Sequence, residues 1–156
     1  MYACKARRGF SLIELVIVVV IIGIIAAIAI PRMSRGASGA ADSALASNLA
    51  VLRSAIDLFQ TEHGGVYPLV AKFEGQLTTF SNDAGDPNAT KDTEFIFGPY
   101  LRAIPPLPVG AKKGAVGVAA ADAAGIGWIY DEDTGTIRAN TSPTEKDARD
   151  VLYSAY

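Results

Sequence analysis

One carboxylate stands out for its surroundings. Glu14 lies in the run RRGFSLIELVIVVVIIGIIAAIAIP, residues 7–31, where residues 10–30 are interrupted only by Ser11, Glu14 and Gly23. On insertion scales an ionised carboxylate costs about 2.5–3.5 kcal/mol at the centre of a lipid-embedded helix, and less near its end. A group retained at that cost calls for a cationic partner. Within the chain the nearest are Lys5, Arg7 and Arg8, all before Gly9. A second candidate exists if the chain is cut after Gly9, because the new α-amino group of Phe10 then lies one helical turn from Glu14.

Elsewhere the residues for chemistry are sparse. The single histidine, His63, sits beside Gly64 and Gly65 and reads as a surface residue capping a helix end. The only cysteine is Cys4, so no intrachain disulfide or cysteine zinc site is possible. No phosphate-binding loop or nucleophile elbow is present, and the chain is not expected to be an enzyme. Asp131, Glu132 and Asp133 cluster in one turn; Asn82, Asp83, Asp86 and Asn88 cluster in a loop. Calcium takes six to eight oxygens, and neither cluster has the spacing of an EF-hand. A solvated acidic turn is the preferred reading, with Asp131 and Asp133 a weak calcium candidate and otherwise no cofactor. The sequons at Asn88 and Asn140 read as coincidental.

The elements that position Glu14 follow from periodicity and composition. With 50% hydrophobic and 19% charged residues in 156, the chain is not disordered and has room for one domain plus an appendage. A helix over residues 10–30 would reach roughly 30 Å, about the hydrocarbon thickness of a bilayer. The run is too long for the apolar region of a cleaved secretory signal. The basic flank places the N-terminal end in the cytoplasm. Beyond residue 9 the balance is 11 basic to 16 acidic side chains, with no basic stripe, which argues against nucleic acid as a partner.

Residues 8–31 resemble the class III signal of type IV pilins and type II secretion pseudopilins. The resemblance lies in a short basic leader ending in Gly9, then Phe10-Ser11-Leu12-Ile13-Glu14-Leu15, then an unbroken apolar stretch. It implies that a prepilin peptidase cuts between Gly9 and Phe10 and methylates the Phe10 amine. It also implies that residues 10–30 serve as a transmembrane and then a filament-core helix. Glu14 would pair with the N-terminal amine of a neighbouring subunit and set register in assembly. The implied partners are the peptidase, other copies of the chain, minor pilin-like subunits and the inner membrane, with the globular part in the periplasm. Gly23 and Pro31 mark a helix break in the filament; in the isolated subunit a gently kinked continuous helix is the expectation.

Residues 31–63 continue as an amphipathic helix, with Leu45, Leu49, Leu52, Ile56 and Phe59 spaced by four and three, ending at Gly64-Gly65. A short second helix is expected over residues 69–81, and an extended, proline-punctuated segment over residues 97–114. A hairpin is expected over about residues 126–140 within a globular region 64–156, and residues 116–118 offer a third strand. Ser142-Pro143-Thr144-Glu145 has the form of a capping box, leading either to a short helix or to a loose tail. The fold class expected is α+β: a long N-terminal helix packed on a small C-terminal antiparallel sheet, pilin-like. Within the family, no cysteine after residue 9, the small size and the proline-rich segment favour a secretion pseudopilin over a true pilus subunit. The rival from another class is a single-pass anchored periplasmic enzyme or binding domain.

Overall fold

The computed structural model describes residues 10–156, with backbone only at residues 29–37. Two compact units divide the chain, Met1–Ala37 and Ser38–Tyr156. One helix, α1 (Leu12–Glu62), supplies elements to both. In the N-terminal unit every large apolar side chain from Leu12 to Ile28 is between 44% and 80% exposed, so nothing within the unit covers that surface. Among the described residues no helix is long and apolar enough to cross a membrane. The described side chains of the apolar run end at Ile28, and residues 29–30 of the expected span lie outside them.

α1 runs unbroken through Gly23 and Pro31, as expected of the isolated subunit; the break expected there belongs to the filament. A proline removes one amide donor and bends a helix, but in a helix of 51 residues one lost hydrogen bond does not end it.

The second unit is built on the apolar stripe of α1. Leu45, Leu49, Leu52, Ile56 and Phe59 are all at most 1% exposed, facing Trp128, Tyr130 and Ile137 of a sheet. After α1 comes a 3₁₀ turn, Val70–Lys72, and then α2 (Phe73–Thr78). The helix expected over residues 69–81 is therefore shorter. Thr79 is extended, and the next two residues form β1 (Phe80–Ser81), paired antiparallel with β2 (Pro87–Asn88). Competition from that pairing, together with Gly75 inside the helix, limits α2 to under two turns.

The main sheet has the order β3 (Gly117–Ala119), β4 (Ile126–Asp131), β5 (Thr136–Ala139). Here the expectation of an antiparallel sheet is corrected. β4 and β5 are antiparallel, with Trp128 opposite Ala139 and Tyr130 opposite Ile137, but β3 runs parallel to β4. Parallel neighbours ordinarily need a long crossover. β3 is only three residues long, so residues 120–125 suffice to bring the chain back, with a register shift at Gly117/Val118.

At the hairpin turn Gly135 has φ 69°, and its amide bonds to the Asp131 carbonyl at 2.9 Å. A Cβ there would lie 2.3 Å from the Tyr67 ring. Gly135→Ala is expected to cost about 2 kcal/mol, from the left-handed backbone and the forced ring shift. A urea melt checks this, with Gly114→Ala as control; Gly114 also has positive φ but nothing near its Cβ position.

Neither a terminal helix nor a loose tail describes the C-terminal residues. They are strapped down by two buried carboxylates and end in a 3₁₀ turn, Tyr153–Ala155. Asp42 of α1 accepts the Tyr153 hydroxyl at 2.8 Å and the Ala148 amide at 3.0 Å. Asp147 accepts the Tyr156 hydroxyl at 2.6 Å, the amides of Arg149 and Val151 at 2.7 and 2.8 Å, and Arg149 Nε at 2.9 Å. Above all the Tyr156 hydroxyl, then the backbone amides and the guanidinium, hold Asp147 well below the usual carboxylate range. A carboxyl whose folded value is depressed stabilises the fold above its unfolded value of about 3.9, and that contribution is lost as pH falls towards the folded value. Asp147→Asn is thus expected to melt lower than the parent chain at pH 7, with the gap narrowing below about pH 5. Thermal melts of both chains from pH 7 to pH 3 test it.

Candidate functional site

The helix start organises the residues around Glu14. The Leu15 amide bonds to the Ser11 carbonyl at 3.2 Å, making Ser11 the residue that opens α1. Glu14, three residues on, turns its carboxylate back and accepts the Ser11 amide at 2.8 Å. This is one half of a capping box, and the Ser-x-x-Glu spacing at residues 11–14 is its signature. This amide is a nearer partner for Glu14 than any charged group in the sequence, and the same spacing reveals it. The arrangement holds a negative charge at the positive end of the helix macrodipole, in its first turn. Phe10, immediately before, is 78% exposed. Gly9 and the rest of the expected leader lie outside the described residues.

Chemically the site can present one carboxylate, already oriented by a backbone amide, one turn from the Phe10 nitrogen. It stands at the tip of a helix whose flanks are uniformly apolar and open. No general base faces it among the described residues.

The other sequence candidates lie in the second unit. Asp131 accepts the Asp133 amide at 3.0 Å, and hydrogen bonds led by the Thr134 hydroxyl hold it below the usual carboxylate range. Glu132 accepts the Val70 amide at 2.6 Å, tying the turn to the 3₁₀ segment. Burial, then the charges of Glu132, Tyr67 and Asp131, push the Tyr130 phenol behind this turn well above its usual value, so it remains a neutral hydroxyl. Among the described residues no group of three or more His, Cys, Asp or Glu side chains could hold a metal ion. In the second acidic loop Asn82 accepts the Asp86 amide at 2.9 Å, and Asp86 pairs with Lys72 at 2.6 Å. Asn140 is 5% exposed and donates both to Asp122 and to the Ile126 carbonyl, a structural role that leaves no open sequon.

His63 is not the surface cap that the sequence suggested. It is 7% exposed, stacked on Phe59 with ring centroids 3.8 Å apart. The loop after β1 closes over the helix end and covers it. Nδ1 lies 2.8 Å from the Phe59 carbonyl, and Nε2 lies 3.1 Å from both the Ser81 hydroxyl and the Asn82 carbonyl. A Ser–His contact of this length invites a catalytic reading, but Ser81 is 0% exposed and no substrate can reach it. The pair joins the end of α1 to β1.

Comparison with known families gives a match at the N-terminus. Residues 4–30 match the family model described as the prokaryotic N-terminal methylation motif. The match takes in Gly9, Phe10, Glu14 and the apolar run, and is consistent with the class III signal of type IV pilin-like proteins and pseudopilins. It supports a pilin-like subunit in the broad sense, one processed by a prepilin peptidase, membrane-anchored, and assembled into pilus-like filaments. No curated protein and no solved structure matches the chain.

Proposed function

We propose that the chain is a structural subunit of a type II secretion pseudopilus, acting in protein export rather than as an enzyme. It is inserted once in the inner membrane with its N-terminus in the cytoplasm and Ser38–Tyr156 in the periplasm. It is cut after Gly9 and methylated at Phe10, and it polymerises through α1 with other copies and minor pilin-like subunits. The observation that carries this reading is the methylation motif over residues 4–30. The exposed apolar helix from Leu12 to Ile28 supports it, because such a surface needs lipid or neighbouring helices to cover it. A pseudopilin is favoured over an adhesive pilus subunit because no cysteine follows residue 9. The C-terminal strap is closed by Asp42 and Asp147 instead of a disulfide.

The test is a mass spectrum of the N-terminal peptide from native membranes. The expected species begins at Phe10 and carries one added methyl group. An intact leader, in cells with an active prepilin peptidase, overturns the reading and leaves a simple anchor. Dependence of exoprotein export on the gene separates a secretion role from a surface pilus.

A further inference from the structure

The chain's only histidine, His63, is buried, and assembly through α1 gives it nothing to do. Each of its two ring nitrogens faces a carbonyl oxygen. Nδ1 lies 2.8 Å from that of Phe59, which also accepts the His63 backbone amide at 3.0 Å. Nε2 lies 3.1 Å from that of Asn82. A carbonyl only accepts, and a neutral imidazole carries one N–H. The neutral ring therefore serves one of the two carbonyls and turns a lone pair towards the other oxygen, whereas an imidazolium donates to both. The lone pair is accommodated only at Nε2, where the Ser81 hydroxyl, 3.1 Å away, can donate to it.

We propose that His63 is a proton-operated latch between the C-terminal end of α1 and the segment 81–97. With one proton, the ring bonds to Phe59 and Ser81 and leaves the Asn82 carbonyl unserved. With two, it donates to the Phe59 and Asn82 carbonyls together and clamps the segment to the helix. Ser81 and Phe97 exchange amide–carbonyl bonds at 3.0 and 3.1 Å, so a clamp at residues 81–82 closes the base of the whole loop between them. The surroundings suit a positive ring. It stacks on Phe59 at an interplanar angle of 12°, lies 5.0 Å from the Phe97 ring, and sits at the negative end of the α1 macrodipole. The charged groups on the elements packed against it are engaged elsewhere or exposed. Glu62 on α1 accepts the Tyr100 hydroxyl at 2.6 Å. On the loop Asp86 pairs with Lys72, Asp92 accepts the Glu94 and Phe95 amides, Glu94 accepts from the Asn82 side chain, Lys91 stands over the Phe80 ring, and Asp83 is exposed. Imidazole is the side chain that ordinarily changes charge between about pH 5 and 8. The bond to Asn82 exists only on the protonated ring, so acid tightens the latch and rising pH loosens it.

The test compares the full-length chain in detergent micelles at about pH 8 and about pH 5.5. Long-range proton–nitrogen NMR of the one histidine is expected to show one protonated ring nitrogen at the higher pH and two at the lower. Amide exchange of residues 81–97, corrected for its intrinsic pH dependence, is expected to be several-fold slower at the lower pH. Ser81→Ala removes a bond that only the neutral ring needs. It is expected to lower the melt by about 3–5 °C at the higher pH and by clearly less at the lower. A ring in the same protonation state at both values, or exchange of 81–97 that does not change between them, overturns the latch. So does an equal Ser81→Ala penalty at both values. A pH difference in exchange that survives His63→Gln belongs to another group and also overturns it. If either variant fails to fold, the ring spectrum and the exchange of the parent chain decide.

Discussion

Glu14→Gln is expected to enter membranes at least as well as the parent chain and to lose more than about tenfold of its assembled fraction. The argument separates two roles that the structure superimposes. As a helix cap, Glu14 accepts the Ser11 amide at 2.8 Å, and a glutamine carbonyl accepts the same bond. As a charge, it is costly in lipid and so favours removal during insertion. It can then lower the free energy of assembly only by pairing with a cation, and a hydrogen bond to a charged group contributes about 1.5–3 kcal/mol. Losing even the lower figure from each subunit shifts the association constant by about tenfold at 1.4 kcal/mol per decade. Glu14→Ala removes both roles and is expected to fail at least as badly. Carbonate extraction measures insertion, and shearing followed by sedimentation measures filaments. If Glu14→Gln assembles like the parent chain while Glu14→Ala does not, the carboxylate is only a cap and the pairing idea fails.

How much of this was legible beforehand depends on how local each signal is. The Leu45–Phe59 stripe is visible because a helix face repeats every three or four residues, and those side chains are the buried ones. The motif around Gly9 and Glu14 is legible for the same reason, since it is written in consecutive residues. The Ser11–Glu14 cap was equally local; it was missed because a charge in an apolar run directs attention to distant partners. By contrast, β3 is three residues long with both neighbours irregular, and nothing in Gly117–Ala119 states whether its partner runs parallel or antiparallel. The strap depends on Asp42 meeting Tyr153, 111 positions away, and neither residue announces the other. His63 beside two glycines has the look of a solvent-facing helix end. Its burial comes from Ser81 and Asn82, which a later loop brings over it. The strand direction, the strap and the histidine share one cause: each is decided by a tertiary contact that leaves no trace in the neighbouring residues.

The largest stability effect is expected at Trp128. It is 0% exposed, sits in the central strand β4 between Val118 and Ala139, and donates from Nε1 to the Pro105 carbonyl at 2.8 Å. That bond ties the proline-punctuated segment to the sheet, while Asn48 Nδ2 ties the next carbonyl, that of Pro106, to α1 at 3.1 Å. Truncating a buried tryptophan costs about 3–5 kcal/mol through lost transfer and the remaining cavity. Losing the donor to the half-buried Pro105 carbonyl adds about 0.5–1.5 kcal/mol. A domain of this size is stable by only about 5–15 kcal/mol, so Trp128→Ala is expected to lose much of its margin and melt roughly 10–20 °C lower. Trp128→Phe keeps most of the packing but not the donor, and should fall between. Circular dichroism is the appropriate readout, because Trp128 is the only tryptophan and its replacement removes the fluorescence signal. A Trp128→Ala chain within about 1 kcal/mol of the parent would mean that the core is organised by α1 and α2 without the sheet's central side chain. If Trp128→Phe proves as unstable as Trp128→Ala, the hydrogen bond to Pro105 matters more than the ring.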